Sequence, residues 1–345
     1  MSNDALPRIA ARIEQRLDRL FTELDSDKGD AIFSSSTPPL LLDQVRDLTL
    51  RAGKRFRGVL VICGAALFDE RANENPDVLD AAAALELLHT YFLIHDDIMD
   101  EDDMRRGGPS VHAALGARTG DEKLGRDLAI LCGDLACALH ERLLATLYAN
   151  GPRGALANRV FAQMHLDVIH GQTLDILGDT DAEEVASRKT ASYTTVGPLA
   201  IGASLSGAQQ EQLVLLARMA RPLGVAFQLR DDLLGVFGKP EVTGKSVGAD
   251  LKKGKRTYLI QNALAEAGRS DRLAVEAVFG DAAASDTAVS RAVEALAASG
   301  ARRACEDRID RLVEQSLDAL ADLPYLAGGV ELLKIVAGIL GRRDK

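Results

Sequence analysis

The stretch LDAAAALELLHTYFLIHDDI, residues 79–98, decides the fold. Its apolar residues recur at intervals of three and four, the signature of a packed helix. Most of the chain is similarly rich in Ala, Leu, Arg and Glu, and strand-like alternation is nearly absent. Gly, Pro, Ser and Asp cluster at 25–39, 68–76, 105–109, 150–152, 178–181, 206–207 and 239–254, which predicts breaks there. Between them lie helices of roughly 12 to 25 residues, suited to a bundle. No break coincides with a compositional change or a long linker, and no repeat of fixed period is present. The expectation is an all-α protein in which residues 1–345 form a single domain, one large helical bundle.

Composition narrows the function classes. Hydrophobic residues at 47% and charged residues at 27% suit a chain with a sizeable core. A net charge of −10 argues against a general nucleic-acid partner, because neutralising a phosphate backbone needs excess Lys and Arg. Cys63, Cys132, Cys137 and Cys305 have no metal-site spacing and read as small apolar core residues. The first 17 residues lack the apolar core of a secretory signal. No uninterrupted apolar run approaches the roughly 18 to 20 residues of a membrane span. A cytoplasmic location without a membrane span is therefore expected.

The helix of residues 79–98 runs on into acid and then base, ELLHTYFLIHDDIMDEDDMRRGG over 86–108. At about 100° per residue, Asp96 and Asp100 share a face one turn apart, with His89 two turns earlier on nearly the same stripe. Two carboxylates so placed repel unless a cation bridges them, and Mg²⁺ favours such oxygens together with phosphate oxygens. A solvated acidic helix end is the competing explanation, but acid at a helix C-terminus opposes the macrodipole. Arg105 and Arg106 follow, and their forked donors can grip a diphosphate or pair with Asp102 or Asp103.

A second acidic helix reads FQLRDDLLGVFG over 227–238, with Asp231 and Asp232 paired. The basic loop after it contains Gly244, Lys245, Gly248, Gly254 and Lys255. It is not a Walker A loop, since the required glycine before Gly244 is missing. AGKRFRG, 52–58, adds Lys54 and Arg57, and RKTASYTT, 188–195, adds Lys189, Thr190 and Tyr193. Paired carboxylates for Mg²⁺ with cations for the remaining phosphate charge are what two diphosphate substrates would need.

In this ordered set the chain resembles the trans-isoprenyl diphosphate synthase family of polyprenyl synthases, over roughly residues 53–257. HDDIMD with RRGG is similar to the family's first aspartate-rich motif, and FQLRDD with TGK, GADL and GKRT to its second. GQTLD, 171–175, resembles a further signature between them. The resemblance implies the isoprenoid synthase fold, with both motifs facing a central cavity. It also implies that Asp96, Asp97, Asp100 and Asp231 hold Mg²⁺, three ions with substrate bound, with Asp232 nearby through water. Arg105, Lys189, Thr190, Gln228, Lys245 and Lys255 match allylic-diphosphate positions. Lys54, Arg57, His89 and Arg106 match isopentenyl-diphosphate positions. One departure stands out: Gly235 occupies the place of a third aspartate found in many members.

The implied reaction is head-to-tail condensation of isopentenyl diphosphate with an allylic diphosphate, typically by a homodimer. Phe92 lies one turn below Asp96, and Tyr91 is also a chain-length position by resemblance; two aromatics in a chain with 4% aromatics favour C15 within the range C10–C20. Core packing explains that pair about equally well. A class I terpene cyclase is the alternative, though it needs no second diphosphate site; a non-catalytic subunit of a heteromeric synthase is another. Glu86 and His89 form one Glu-x-x-His, but a ferritin-like di-iron site needs two.

Overall fold

The computed structural model describes residues 5–26, 38–51, 53–148, 151–178, 180–238, 248–266, 268–321 and 325–341. The all-α expectation holds. Strand pairing among the described residues is confined to a two-residue antiparallel hairpin, Met104–Arg105 with Gly108–Pro109. The chain divides into two compact units, one of Met1–Asn158 with Ile201–Ala208, the other of Arg159–Ala200 with Gln209–Lys345.

The first unit contains α1 (Ala5–Ser26), α2 (Pro39–Leu50), α3 (Phe56–Ala66), α4 (Pro76–Met99), α5 (Val111–Thr119) and α6 (Glu122–Leu147). Helix α4 begins with the Asn75 side chain accepting the Asp77 amide at 3.0 Å, and Pro76 sits where a missing N–H costs nothing. It packs against each of the other five helices. Ala81–Leu85, Leu87 and Leu88 are all buried, so apolar burial extends around the helix and is not confined to one stripe. By length and composition α4 could cross a membrane, but 67% of that window is buried inside the protein, as in a core helix.

The second unit contains the greater part of α7 (Gly151–Leu177), then α8 (Ala182–Val185), a π-helical segment over Ala186–Val196, the start of α9 (Gly197–Leu205) and α10 (Gln210–Phe237). Later helices span Ala249–Lys252, Tyr258–Glu266, Arg269–Glu276, Asp286–Ala298, Ala301–Ala321 and Ala327–Gly341. The core joins Leu229, Leu233 and Val236 of α10 to Leu259, Ile260, Cys305 and Ile309. Breaks near Gly268, Gly280 and Gly300 were not expected from the sequence; Gly280 and Gly300 adopt φ of 77° and 82°, where a side chain would be strained.

The four cysteines are free; Cys63, Cys132 and Cys305 are buried and Cys137 is half-buried. Burial pushes the Cys132 and Cys305 thiols up to about 12, so they behave as the small apolar residues expected.

Gly202 of α9 lies so close to α3 that an added Cβ would stand 1.8 Å from the Val61 carbonyl oxygen. Gly202→Ala should therefore destabilise the protein by about 1–3 kcal/mol, despite alanine's better helix propensity. Denaturant unfolding measures this directly, and an unchanged midpoint would contradict the close contact.

Candidate active site

In the first unit, α4 carries its polar groups at particular places. Asp96 and Asp100 are one turn apart, as expected, with the Asp100 amide closing the last helical hydrogen bond to the Asp96 carbonyl at 2.8 Å. Both are half-buried, whereas Asp97 is fully buried. Arg105, delivered by the hairpin, donates through Nε to Asp97 Oδ1 at 2.7 Å and lies 3.8 Å from Asp96 and 3.7 Å from Asp102. Its main partner is thus a buried carboxylate and not the surface pair considered from sequence. Burial pushes the Asp97 pKa up, Arg105 opposes this, and Asp96 and Asp102 add to the rise. Burial alone would lower that of Arg105, but Asp97 drives it upward.

A second group forms around His89. Arg57 Nη1 lies 3.3 Å from His89 Nε2, and the Arg106 guanidinium rests 3.6 Å from the Cβ position of Gly53. Arg106 also donates to the Leu48 carbonyl at 3.2 Å. Burial first, then Arg57, Arg106, Arg105 and Arg55, hold the His89 pKa well below its ordinary value, so the ring is neutral. A neutral imidazole that accepts at Nε2 carries its proton on Nδ1 and can donate there. Burial brings Arg106 down to about 10, still charged at neutral pH, with Glu86 pulling it back upward. Lys54 is exposed, its ammonium 5.9 Å from the Phe56 ring centroid. Arg57, His89 and Arg106 are therefore brought together, and Lys54 adjoins them in sequence.

In the second unit the π-helical segment presents Lys189 and Thr190. It fits between neighbours because two facing positions lack side chains: a Cβ on Gly171 would meet the Lys189 amide nitrogen at 2.2 Å, and one on Gly224 the Ala191 Cα at 2.5 Å. Lys189 donates to Asp175, the last residue of GQTLD, at 2.6 Å. Thr190 donates to Gln228 Oε1 at 2.5 Å, and Gln228 Nε2 donates to Asp232 at 2.8 Å. Asp231, the residue before it, is exposed. Burial pushes Asp232 up to about 8; the Gln228 hydrogen bond opposes this, Asp250 and Asp231 add to it, and Lys255 opposes it. Lys255 is half-buried and closes the Asp250–Lys255 turn through its amide at 3.0 Å. Lys245 and Gly244 lie outside the described residues.

The Gly235 departure has a structural counterpart. A Cβ at Gly235 would fall 2.3 Å from Asp250 Oδ2, so the place of the absent aspartate is bordered by a carboxylate from the GADL turn. Sequence reasoning did not assign roles to Asp250 or Asp175, nor to the buried Arg55. GADL and GQTLD are sequence signatures, but nothing in their spacing reveals which side chains their acids meet.

The fold and these groups define an all-α protein with carboxylates and cations suited to diphosphate chemistry. The polyprenyl synthetase family model matches residues 38–296, and the chain belongs to this family. It is 33% identical to the geranylfarnesyl diphosphate synthase of Aeropyrum pernix over 91% of this chain and 97% of that one. It is 32% identical to the (2E,6E)-farnesyl diphosphate synthase of Mycobacterium tuberculosis over 80% of this chain and 76% of that one. Among solved structures, a geranylgeranyl pyrophosphate synthase from Corynebacterium glutamicum, in complex with isoprenyl diphosphate and magnesium, aligns with a TM-score of 0.89 and 32% identity. The alignment covers 99% of this chain and 100% of that one.

The donor set fits Mg²⁺. Asp97 Oδ2 is buried without a hydrogen-bond partner, and the acids supply the hard oxygens this ion prefers. Among the described residues no three His, Cys, Asp or Glu side chains form a ready-made cage.

Gly235→Asp should not act as a simple restoration of the common motif, because the new side chain competes with Asp250 for the same space. We expect a loss of about 1–3 kcal/mol, recovered when Asp250→Gly is added in the same chain. Denaturant titration of the two single variants and the double variant tests the exchange; equal losses that simply add would contradict it.

Proposed function

We propose that this polyprenyl synthase is a Mg²⁺-dependent short-chain trans-prenyltransferase that joins isopentenyl diphosphate head to tail to an allylic diphosphate. The observation that carries this reading is the group of two guanidiniums, Arg57 and Arg106, around His89, on the same helix as Asp96 and Asp100. A cyclase, acting on one diphosphate, has no use for a second such group. In this reading Lys54, Arg57, His89 and Arg106 bind isopentenyl diphosphate. Arg105, Lys189, Thr190, Gln228, Lys245 and Lys255 bind the allylic diphosphate.

Asp96, Asp97, Asp100 and Asp231 would hold Mg²⁺, three ions in the loaded enzyme. When bound, the metal supplies electrostatic stabilisation of charge growing on the departing diphosphate. Arg105 and Lys189, paired with Asp97 and Asp175 here, supply cationic donors for the phosphate oxygens. Neutral His89 contributes a donor without a further charge beside Arg57 and Arg106. The apolar flanks of α4 exclude the water that would quench an allylic cation.

Tyr91 and Phe92 are half-buried, with ring centroids 5.2 Å apart. We assign Phe92, one turn before Asp96, as the residue that stops elongation at C15. Labelled isopentenyl diphosphate should be incubated with dimethylallyl, geranyl and farnesyl diphosphates in the presence of Mg²⁺. The expected product is C15, and Phe92→Ala should extend it. Longer products from the unaltered protein would remove the Phe92 assignment, while no elongation from any primer by folded protein would overturn the function.

A homodimer is also proposed. Leu166, Ile169, Ile176 and Leu177 of α7 are exposed at helical spacing, a stripe with the character of a helix-packing surface. Sedimentation should give a dimer that Leu166→Glu with Ile169→Glu shifts towards monomer. An unaltered protein that sediments as a monomer would refute it.

A further inference from the structure

Glu86 has no part in the reaction just described, yet it is a carboxylate only 3% exposed, in the middle of the apolar helix α4. Burying an unmatched carboxylate costs several kcal/mol, so such a group persists where something specific receives it. Its receivers both come from one short segment. Glu86 Oε1 accepts the Gly58 amide at 3.1 Å, and Oε2 accepts Arg55 Nη1 at 3.3 Å. One turn further along α4, His89 meets Arg57 of the same segment at 3.3 Å. The Glu-x-x-His pair is thus a two-point mount for residues 55–58.

The mounted segment is held in an unfavourable conformation. Arg55 has φ of 52°, in the left-handed region that non-glycine residues seldom adopt, and it is 3% exposed. Its guanidinium is clamped from two helices, by Glu86 of α4 and by Glu14 of α1 at 3.1 Å. At Gly58 an added Cβ would lie 2.9 Å from Ile13 and 3.4 Å from the Ala82 carbonyl, so the segment presses directly on α1 and α4. Lys54 and Arg57 flank this anchor, and Arg106 rests against Gly53 at its start.

We propose that Glu86 is a positioning residue for the isopentenyl diphosphate site: by seating Arg55 and the Gly58 amide on α4, it fixes Lys54 and Arg57 beside His89 and Arg106 before substrate arrives. This rests on the reading of those four residues as that site. The carboxylate touches no substrate; it acts through Arg55. It also supplies a buried negative charge beneath several cations, which would otherwise repel one another as well as attract diphosphate.

The test is steady-state kinetics on Glu86→Gln, Arg55→Lys and Arg57→Ala, varying each substrate in turn, with circular dichroism to establish folding. Glu86→Gln should raise KM for isopentenyl diphosphate about tenfold, with kcat and the allylic KM within about twofold. Arg55→Lys keeps the charge but loses the fork, should show the same selective rise, and serves if Glu86→Gln does not fold. An unchanged KM for isopentenyl diphosphate in the folded variants, or equal losses for both substrates, would overturn the proposal. Arg57→Ala separates the two levels. If it leaves that KM unaltered, the assignment of the site fails; if it raises the KM while the Glu86 and Arg55 variants do not, the positioning role alone fails.

Discussion

Three ionisable side chains of α4, Glu86, His89 and Asp97, are buried among its apolar residues, and each meets a guanidinium from elsewhere in the chain. Arg55 reaches Glu86, Arg57 reaches His89 and Arg105 reaches Asp97. Burial makes each contact demanding, because a charge removed from water has to find its match or surrender its charge. The start of α3 and the short hairpin that carry these arginines are thereby fastened to one rod. Their fastening explains how a helix start and a two-residue hairpin hold chemical groups in fixed places.

The second unit solves the same problem through backbone proximity. Lys189 and Thr190 lie on a π-helical segment, a geometry that is rare and often found at functional sites. Gly171 and Gly224 let the backbones of α7 and α10 approach it, and the Thr190–Gln228–Asp232 hydrogen bonds tie its polar face to the second aspartate pair.

Much of this was legible in the sequence, and the legible parts share a physical basis. The recurrence of apolar residues along 79–98 is periodic, and a periodic signal survives without knowledge of neighbours. The Asp96–Asp100 spacing likewise follows from helical geometry alone. What could not be read was which of several adjacent charges is buried. Lys54, Arg55 and Arg57 look alike in AGKRFRG, yet Arg55 is interior while Lys54 is exposed. Left-handed φ at Arg55, Glu101 and Arg106 leaves no compositional trace, since none is glycine. The π-helical winding of 186–196 and the meeting of Gly235 with Asp250 depend on tertiary approach, as does the pairing of Asp97 with Arg105.

The burial of the thiols turns the native protein into a reporter of its own opening. Cys63 and Cys132 lie in the first unit and Cys305 in the second, all shielded, while half-buried Cys137 is nearer solvent. A thiol-reactive dye can modify the shielded sulfurs at the rate at which the surrounding helices part, because alkylation requires access and a thiolate. Mass spectrometry of the labelled peptides would then give a separate clock for each unit, without introducing a single substitution.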